Sequence, residues 1–400
     1  MNLLLISTIY PLPDKGNKGT PVCHYFTREW VKMGHNVRVV HYQSVYPAPF
    51  YWMASLNRDR IVAKTGAVVY TKRDHGGRYN MDNVPICRIP LFKPMPHGKY
   101  TKHAISRSIK EILNWLKDDD FTPDIIVGHF PNPQIEVVNR LKEVWPEAKT
   151  AIVLHGDIKI AQKVYGNRLL ELCGKIDGWG FRSESVRRLF ERNVMPVKRS
   201  FVCYSGVPED YIVTENRHDF SDSLHDFIYV GELIERKYPE QVLSALQKTY
   251  PNGNYQLTYV GQGDLLKKIH DRIEKESLSE CVKTVGKIPR DRIKEHYDSA
   301  DCMVMISRGE AYGLVYLEAM ARGCITIASR NEGFDGVIID GVNGFLCNAG
   351  DVDELSSIIV RINSLSSQER QQISNRAIET AKSLTDYKAA ERYIEDLINC

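Results

Sequence analysis

Two carboxylates, Glu310 and Glu318, bracket the run Glu310-Ala311-Tyr312-Gly313-Leu314-Val315-Tyr316-Leu317-Glu318. An apolar β-type stretch, Cys302-Met303-Val304-Met305-Ile306, precedes it, and residues 314–322 favour helix, so the order is strand, loop, helix. The first turn of a helix carries unpaired N–H groups and the positive end of the dipole. The amides of Gly313, Leu314 and Val315 are therefore candidate donors to a phosphate, and Gly313 lets the ligand come close. A site for phosphate alone has little use for carboxylates. A ligand with hydroxyls beside its phosphates does, because ionised carboxylates accept strong hydrogen bonds from hydroxyls. Taken singly, Glu310 reads better as a loop charge and Glu318 as a solvated helix residue; the spacing of the whole pattern argues for a site.

With Ala319-Met320-Ala321-Arg322-Gly323 and Asp340-Gly341-Val342-Asn343-Gly344-Phe345-Leu346 behind it, this pattern resembles the retaining nucleotide-sugar glycosyltransferases of family 4. Their fold is GT-B: α/β, two doubly wound Rossmann-like domains facing across a cleft. The resemblance implies that Glu310 touches the donor sugar, that Glu318 holds the ribose hydroxyls, and that the intervening glycines present amides to the diphosphate. It covers nearly the whole chain, strongly in the second half and loosely between residues 44 and 120.

The elements that must position such a site follow. Phe227-Ile228-Tyr229-Val230-Gly231 reads as a strand, Glu232-Leu233-Ile234-Glu235-Arg236-Lys237 as its loop, and a helix starts near Pro239. Cations at that sheet edge suit a diphosphate. The resembling family has Arg directly after the glycine and Lys five positions later. Lys237 matches the lysine and Glu232 stands in place of the arginine, which leaves Arg236 as the neighbouring candidate and plain surface charge as its alternative. Tyr255 to Asp264 is strand, turn and helix, but Leu266 occupies the third-glycine position of GxGxxG, so a conventional dinucleotide fingerprint is weak here. The resemblance puts the Lys287-Ile288 backbone near the nucleotide base. Asn331-Glu332-Gly333 forms a further edge loop where the family more often shows Gly-Gly and Glu. Residues 351–398 are helical, and in this fold the last helix commonly crosses back to the first domain.

In the first half, residues 2–8 form an apolar strand, and the loop Tyr10-Pro11-Leu12-Pro13-Asp14-Lys15-Gly16-Asn17-Lys18-Gly19 follows. Thr20-Pro21 reads as an N-cap with proline at the first helical position, opening a helix that runs to Met33 and stops at Gly34. A strand over residues 36–42 completes a βαβ unit. The family's Gly-Gly pair near the donor phosphate is represented here by Gly19-Thr20. Two apolar runs, Asp124 to Phe130 and Thr150 to Asp157, each stop at a histidine, His129 and His155. Parallel strands set both at one sheet edge. The resemblance places one of them at the donor sugar, and His155 is the preferred choice. Asp118-Asp119-Asp120 sits between a helix end and a strand and reads as a solvated charge run; no metal is expected. An amphipathic helix over residues 100–117 has Ile105, Ile109, Ile112, Leu113 and Leu116 on one face and basic surroundings, so it either packs on the sheet or meets an anionic membrane.

Four hundred residues exceed a single core, which suggests two domains. The boundaries expected are residues 1–210 for the acceptor side, 211–383 for donor binding and 384–400 for the returning helix, with a polar linker over 214–225. A formal net charge of +3 gives no case for nucleic acid. Nine scattered cysteines read as reduced thiols. Together with an N-terminal apolar run too short for a signal or span, this places the protein in the cytoplasm, free or peripheral on the inner membrane face. The expected function is retaining transfer of a sugar from a UDP- or GDP-type donor to a saccharide or lipid-linked acceptor, with no cofactor beyond the substrate nucleotide sugar. Two rivals share the architecture. A nucleotide-sugar 2-epimerase would convert donor without acceptor, and a silent sugar-nucleotide binding module would bind donor and release no nucleoside diphosphate.

Overall fold

Short runs rich in Val, Ile and Leu, bounded by Gly or Pro, become strands buried on both faces, as parallel sheets covered by helices require. The computed structural model describes residues 1–12, 21–65, 71–96, 98–216 and 218–400. Its strands are β1 (Asn2–Ser7), β2 (Asn36–Val45), β3 (Gly77–Met81), β4 (Val84–Phe92), β5 (Ile125–His129), β6 (Lys149–Leu154), β7 (Gly178–Phe181), β8 (Ser200–Val202), β9 (Asp226–Val230), β10 (Gln256–Val260), β11 (Val282–Gly286), β12 (Cys302–Val304), β13 (Ile325–Ser329) and β14 (Phe345–Cys347). They form two sheets, ordered β3-β4-β2-β1-β5-β6-β7-β8 and β11-β10-β9-β12-β13-β14. All named pairings are parallel except β3 with β4, where Tyr79 stands opposite Ile86.

The chain divides into unit 1, residues 1–182, 186–203 and 389–400, and unit 2, residues 183–185 and 204–388. The division falls at 203/204 and not at 210/211, because backbone bonds tie the crossing to unit 2. The Val207 amide donates to Leu384 O, and the Asp386 amide donates to Val207 O. The expected linker carries packed residues. Phe220 and Leu224 are buried in the core of unit 2, where Arg370 donates to Phe220 O at 2.8 Å and Asn363 accepts from the Leu224 amide at 3.0 Å.

Strand order reverses between β1 and β5 in unit 1, where Ser7 stands opposite His129, and between β9 and β12 in unit 2, where Phe227 stands opposite Cys302. Open α/β sheets bind ligands outside the carboxyl ends at such points. At this edge of unit 2 the backbones come very close. A Cβ built on Gly261 would lie 1.8 Å from Gly231 O, so only glycine fits there.

The helix Val22–Lys32 begins after Pro21, which occupies the N-cap position without a capping side chain. Thr20, the expected cap, and Gly19 lie outside the described residues. The stretch without a sequence motif supplies a helix, Ala48–Thr65, interrupted at Asn57, and then β3. The helix Lys102–Asp118 is capped by the Thr101 side chain, and it buries Ile105, Ile109, Ile112, Trp115 and Leu116 in the core of unit 1. Its apolar stripe is therefore already covered, and only the polar basic face is left to meet a membrane. The aspartate run enters ion pairs, Asp119 with Arg38 at 2.8 Å and Asp118 with Arg78 at 3.7 Å.

Candidate active site

In unit 2 the switch point brings two of the expected residues into direct contact. Lys237, at the end of a short 3-10 turn after β9, bonds through its ammonium to the Glu310 carboxylate on the loop after β12. Lys237 is buried and the Glu310 side chain nearly so. The two loops are also joined through their backbones, since the Arg308 amide donates to Arg236 O at 2.7 Å. Glu332, from the loop after β13, accepts from the Glu310 amide at 2.9 Å, and burial holds its carboxyl above the ordinary range.

The helix Leu314–Ala321 starts directly behind Glu310. Its N-cap, Gly313, is left-handed at φ 86°, and a Cβ there would lie 2.3 Å from the Tyr316 ring. That ring is fixed in turn, because the Tyr316 hydroxyl donates to Met305 O at 2.7 Å. The Leu314 and Val315 amides thus lead the helix beside the Lys237–Glu310 pair, in a geometry suited to an anion. Gly231 closes β9 at the same edge, and half-buried Ile288 lies two residues before the helix Arg290–Asp298.

Two expected residues sit differently. Arg236 turns its guanidinium to Glu232, 3.9 Å away in an exposed i,i+4 pair, and is not drawn into the Lys237–Glu310 contact. Glu318 lies in the second turn of its helix, buried, and accepts from Arg290 Nε at 2.6 Å with the Tyr297 hydroxyl at 3.5 Å. Burial raises its carboxyl from the ordinary value and Arg290 counters that only in part.

In unit 1, His129 Nδ1 and His155 Nε2 are 2.8 Å apart, and the Tyr393 hydroxyl lies 3.0 Å from His129 Nε2. Phe130 stacks on the His155 ring with centroids 4.1 Å apart. Desolvation, aided by the Arg182 cation, pushes His129 down to about 3 and lowers His155 as well. Both rings are therefore neutral hydrogen-bonding groups at pH 7. His41 is likewise held to about 3 by burial. Between pH 6.5 and about 3 the unfolded chain takes up protons that the fold refuses. Stability should consequently fall as pH drops below 6.5, by about 1.4 kcal/mol per pH unit for each of His129 and His41. Urea unfolding from pH 7 to 4 checks this, and His129→Gln should flatten the slope.

Cys23, His129 and His155 form a potential ligand cluster, their N and S atoms all within 4.8 Å of one another. The fit to a dication is poor, because the Arg182 cation acts on all three and burial lifts the Cys23 thiol to about 12.

Residues 214–380 match the family described as glycosyl transferases group 1. The chain is also 30% identical, over 392 residues and 90% of each chain, to the amylovoran biosynthesis glycosyltransferase AmsK of Erwinia amylovora. The chain belongs to the group 1 glycosyltransferases. Among solved structures, Anabaena HepE in complex with UDP superposes with a TM-score of 0.70 at 16% identity, covering 100% of both chains. The lipopolysaccharide outer core galactosyltransferase WaaB superposes at 0.68 and 15% identity, covering 100% of this chain and 99% of that one. These likenesses establish the GT-B fold for this group 1 glycosyltransferase.

Arg182, Glu332, Arg290 and Tyr393 complete these contacts in the glycosyltransferase and were not among the expected site residues. Arg182 ends the apolar run Gly178–Phe181 just as the histidines end theirs, so the same rule would have found it. Glu332 had a signal in its edge loop. Arg290 and Tyr393 had none, being brought to Glu318 and His129 across 28 and 264 residues. Among the described residues no helix is long and apolar enough to cross a membrane.

Proposed function

We propose that this group 1 glycosyltransferase moves a sugar from a nucleotide-diphosphate donor to a saccharide or lipid-linked saccharide acceptor, with retained anomeric configuration and without a metal. The observation that carries the reading is the Lys237–Glu310 contact at the β9/β12 switch, beside the leading amides of the helix Leu314–Ala321. In it a cation and helix-end N–H groups neutralise the departing diphosphate, and a carboxylate receives sugar hydroxyls. Held in a largely dry setting, these groups act at the moment charge develops on the leaving group. Glu318, buried against Arg290, is assigned to the ribose side of the donor.

No carboxylate is assigned as a nucleophile, because Glu310 is engaged with Lys237. Retention then follows a front-face route in which the leaving phosphate helps to take the acceptor proton. The neutral histidine pair of unit 1, with His155 the more open member, supplies hydrogen bonds to sugar hydroxyls. Likeness to an amylovoran biosynthesis enzyme supports a role in polysaccharide synthesis, with the enzyme at or near the cytoplasmic membrane face. The test is turnover of UDP- and GDP-sugars with saccharide acceptors, following nucleoside diphosphate release and the anomeric proton coupling of the product. Retained configuration with acceptor-dependent release is expected, unaffected by EDTA. An inverted product, or conversion of donor with no acceptor present, would overturn the reading.

A further inference from the structure

We propose that Tyr393 is a positioning residue that fixes the tautomer of both unit 1 histidines, so that His155 presents its Nδ1 to the substrate as an N–H donor. This deepens the transferase reading and rests on it for the word substrate. Tyr393 lies on the helix Asp386–Asn399 and is 1% exposed. Its hydroxyl lies 3.0 Å from His129 Nε2, its one hydrogen-bond partner among the described residues. Its surroundings are rings: Phe26, Trp30 and Phe201 stand with centroids 5.0, 5.1 and 5.5 Å from the phenol. Trp30 adds only a donor, and its Nε1–H is already given to Ala390 O at 2.9 Å.

Desolvation and the Arg182 cation keep both histidines neutral. A neutral imidazole has one protonated and one bare nitrogen, and the bond made at one decides the role of the other. The phenol proton goes to His129 Nε2, because the opposite arrangement would turn a buried O–H toward aromatic carbon. An orphaned donor of that kind shifts an equilibrium roughly 5- to 150-fold. With Nε2 bare, His129 carries its proton on Nδ1 and donates it to His155 Nε2, 2.8 Å away. His155 Nε2 is thus an acceptor, and the His155 proton sits on Nδ1. Hydrogen bonds aligned in one direction polarise one another, which strengthens the outermost donor.

His155 is the open end of this relay. It is only half-buried, and its Nδ1 is neither bonded among the described residues nor sealed from water. The Cys23 thiol lies nearby, but it bonds to Ser7 at 3.6 Å and to neither ring. Phe130, stacked at 4.1 Å, holds the His155 ring in place. Its backbone occupies the left-handed region at φ 69°, an uncommon and costly conformation for a bulky residue, and its amide donates to Val153 O at 3.0 Å. Strain of this sort gathers where a side chain must be aimed. The consequence is chemical, since a nitrogen that already bears hydrogen cannot take the acceptor proton. His155 is therefore no general base, and its ligand is a sugar oxygen that receives a hydrogen bond.

Nitrogen NMR of the full chain, with isotope-labelled histidine, separates protonated from bare ring nitrogens, and the signals lost in His129→Gln and His155→Gln assign them. Both rings should hold the proton on Nδ1, the minority form of histidine in water. In Tyr393→Phe the His155 proton should move largely to Nε2, and kcat/KM for nucleoside diphosphate release should fall roughly 5-fold or more. His155→Gln offers an amide donor that has no tautomer, so adding Tyr393→Phe to it should cost less than about 2-fold. That contrast separates a positioning role from packing alone. A wild-type His155 protonated on Nε2 would overturn the relay, as would tautomers unchanged in Tyr393→Phe, tautomers that shift with kcat/KM unaltered, or an equal loss in both backgrounds. Should Tyr393→Phe fail to fold, the wild-type tautomers decide. Nδ1–H on His155 that depends on Tyr393, in a chain that releases no nucleoside diphosphate, would instead count against the proposed reaction and leave the relay standing.

Discussion

Lys237→Ala is expected to lower turnover roughly 100- to 1000-fold, the loss associated with removing one group aimed at developing charge. The expectation rests on position and burial. Lys237 is held at the strand-order reversal by a short turn, and its ammonium shares a nearly dry setting with Glu310. A second effect must be separated from the first, because deleting the ammonium leaves the Glu310 carboxylate enclosed without its partner. Breaking a buried pair costs about 3–5 kcal/mol of stability, and replacing both members is far cheaper. The double variant Lys237→Met/Glu310→Gln should therefore recover much of the stability lost in Lys237→Met while turnover remains low. Steady-state release of nucleoside diphosphate, measured beside urea unfolding, reads both quantities. Turnover that recovers along with stability would mean that the pair only holds the loops together.

Glu318→Ala is expected to lower stability as well as donor binding. Its carboxylate is enclosed and accepts from Arg290 Nε at 2.6 Å, and Arg290 packs over the Tyr211 ring at 5.4 Å. Loss of the acid leaves a guanidinium with its principal counter-charge gone. Because Arg290 is about a quarter exposed, the lower end of the range applies, about 3 kcal/mol. Donor binding separates the two roles of this residue. If Glu318 also holds ribose hydroxyls, Glu318→Gln should weaken nucleotide-sugar binding more than it lowers the unfolding midpoint, and Arg290→Ala should do the reverse. Equal behaviour of the two variants in both measurements would reduce Glu318 to a scaffold residue.

What the sequence made legible follows a physical division. Apolar runs ending in Gly231, His129, His155 or Ser307 announce strands of a parallel sheet, and a parallel sheet collects their ends at one edge. The order Cys302 to Arg322, and the lysine after Gly231, could thus be assigned to one edge before any coordinates. Partnerships set by tertiary packing were not legible. Glu318 meets Arg290 from another helix, Tyr393 reaches His129 from the far end of the chain, and Arg236 turns to Glu232. Residues 44–83 were opaque for a different reason: the helix Ala48–Thr65 is interrupted at Asn57 and lacks a clean apolar stripe, and β3 is an edge strand with exposed residues.

The last helix, Asp386–Asn399, supplies Tyr393, Ile394 and Leu397 to a core otherwise built from the first two hundred residues. This imposes a delay during synthesis. The ribosome must make all of residues 204–388 before that core can be completed, an interval on the order of ten to forty seconds at typical elongation rates. Throughout it, the surface around Phe26, Trp30 and Phe201 stands open to water. Nascent chains stalled before residue 389 should accordingly be protease-sensitive in their N-terminal half and bind holdase chaperones, and addition of residues 389–400 should end both.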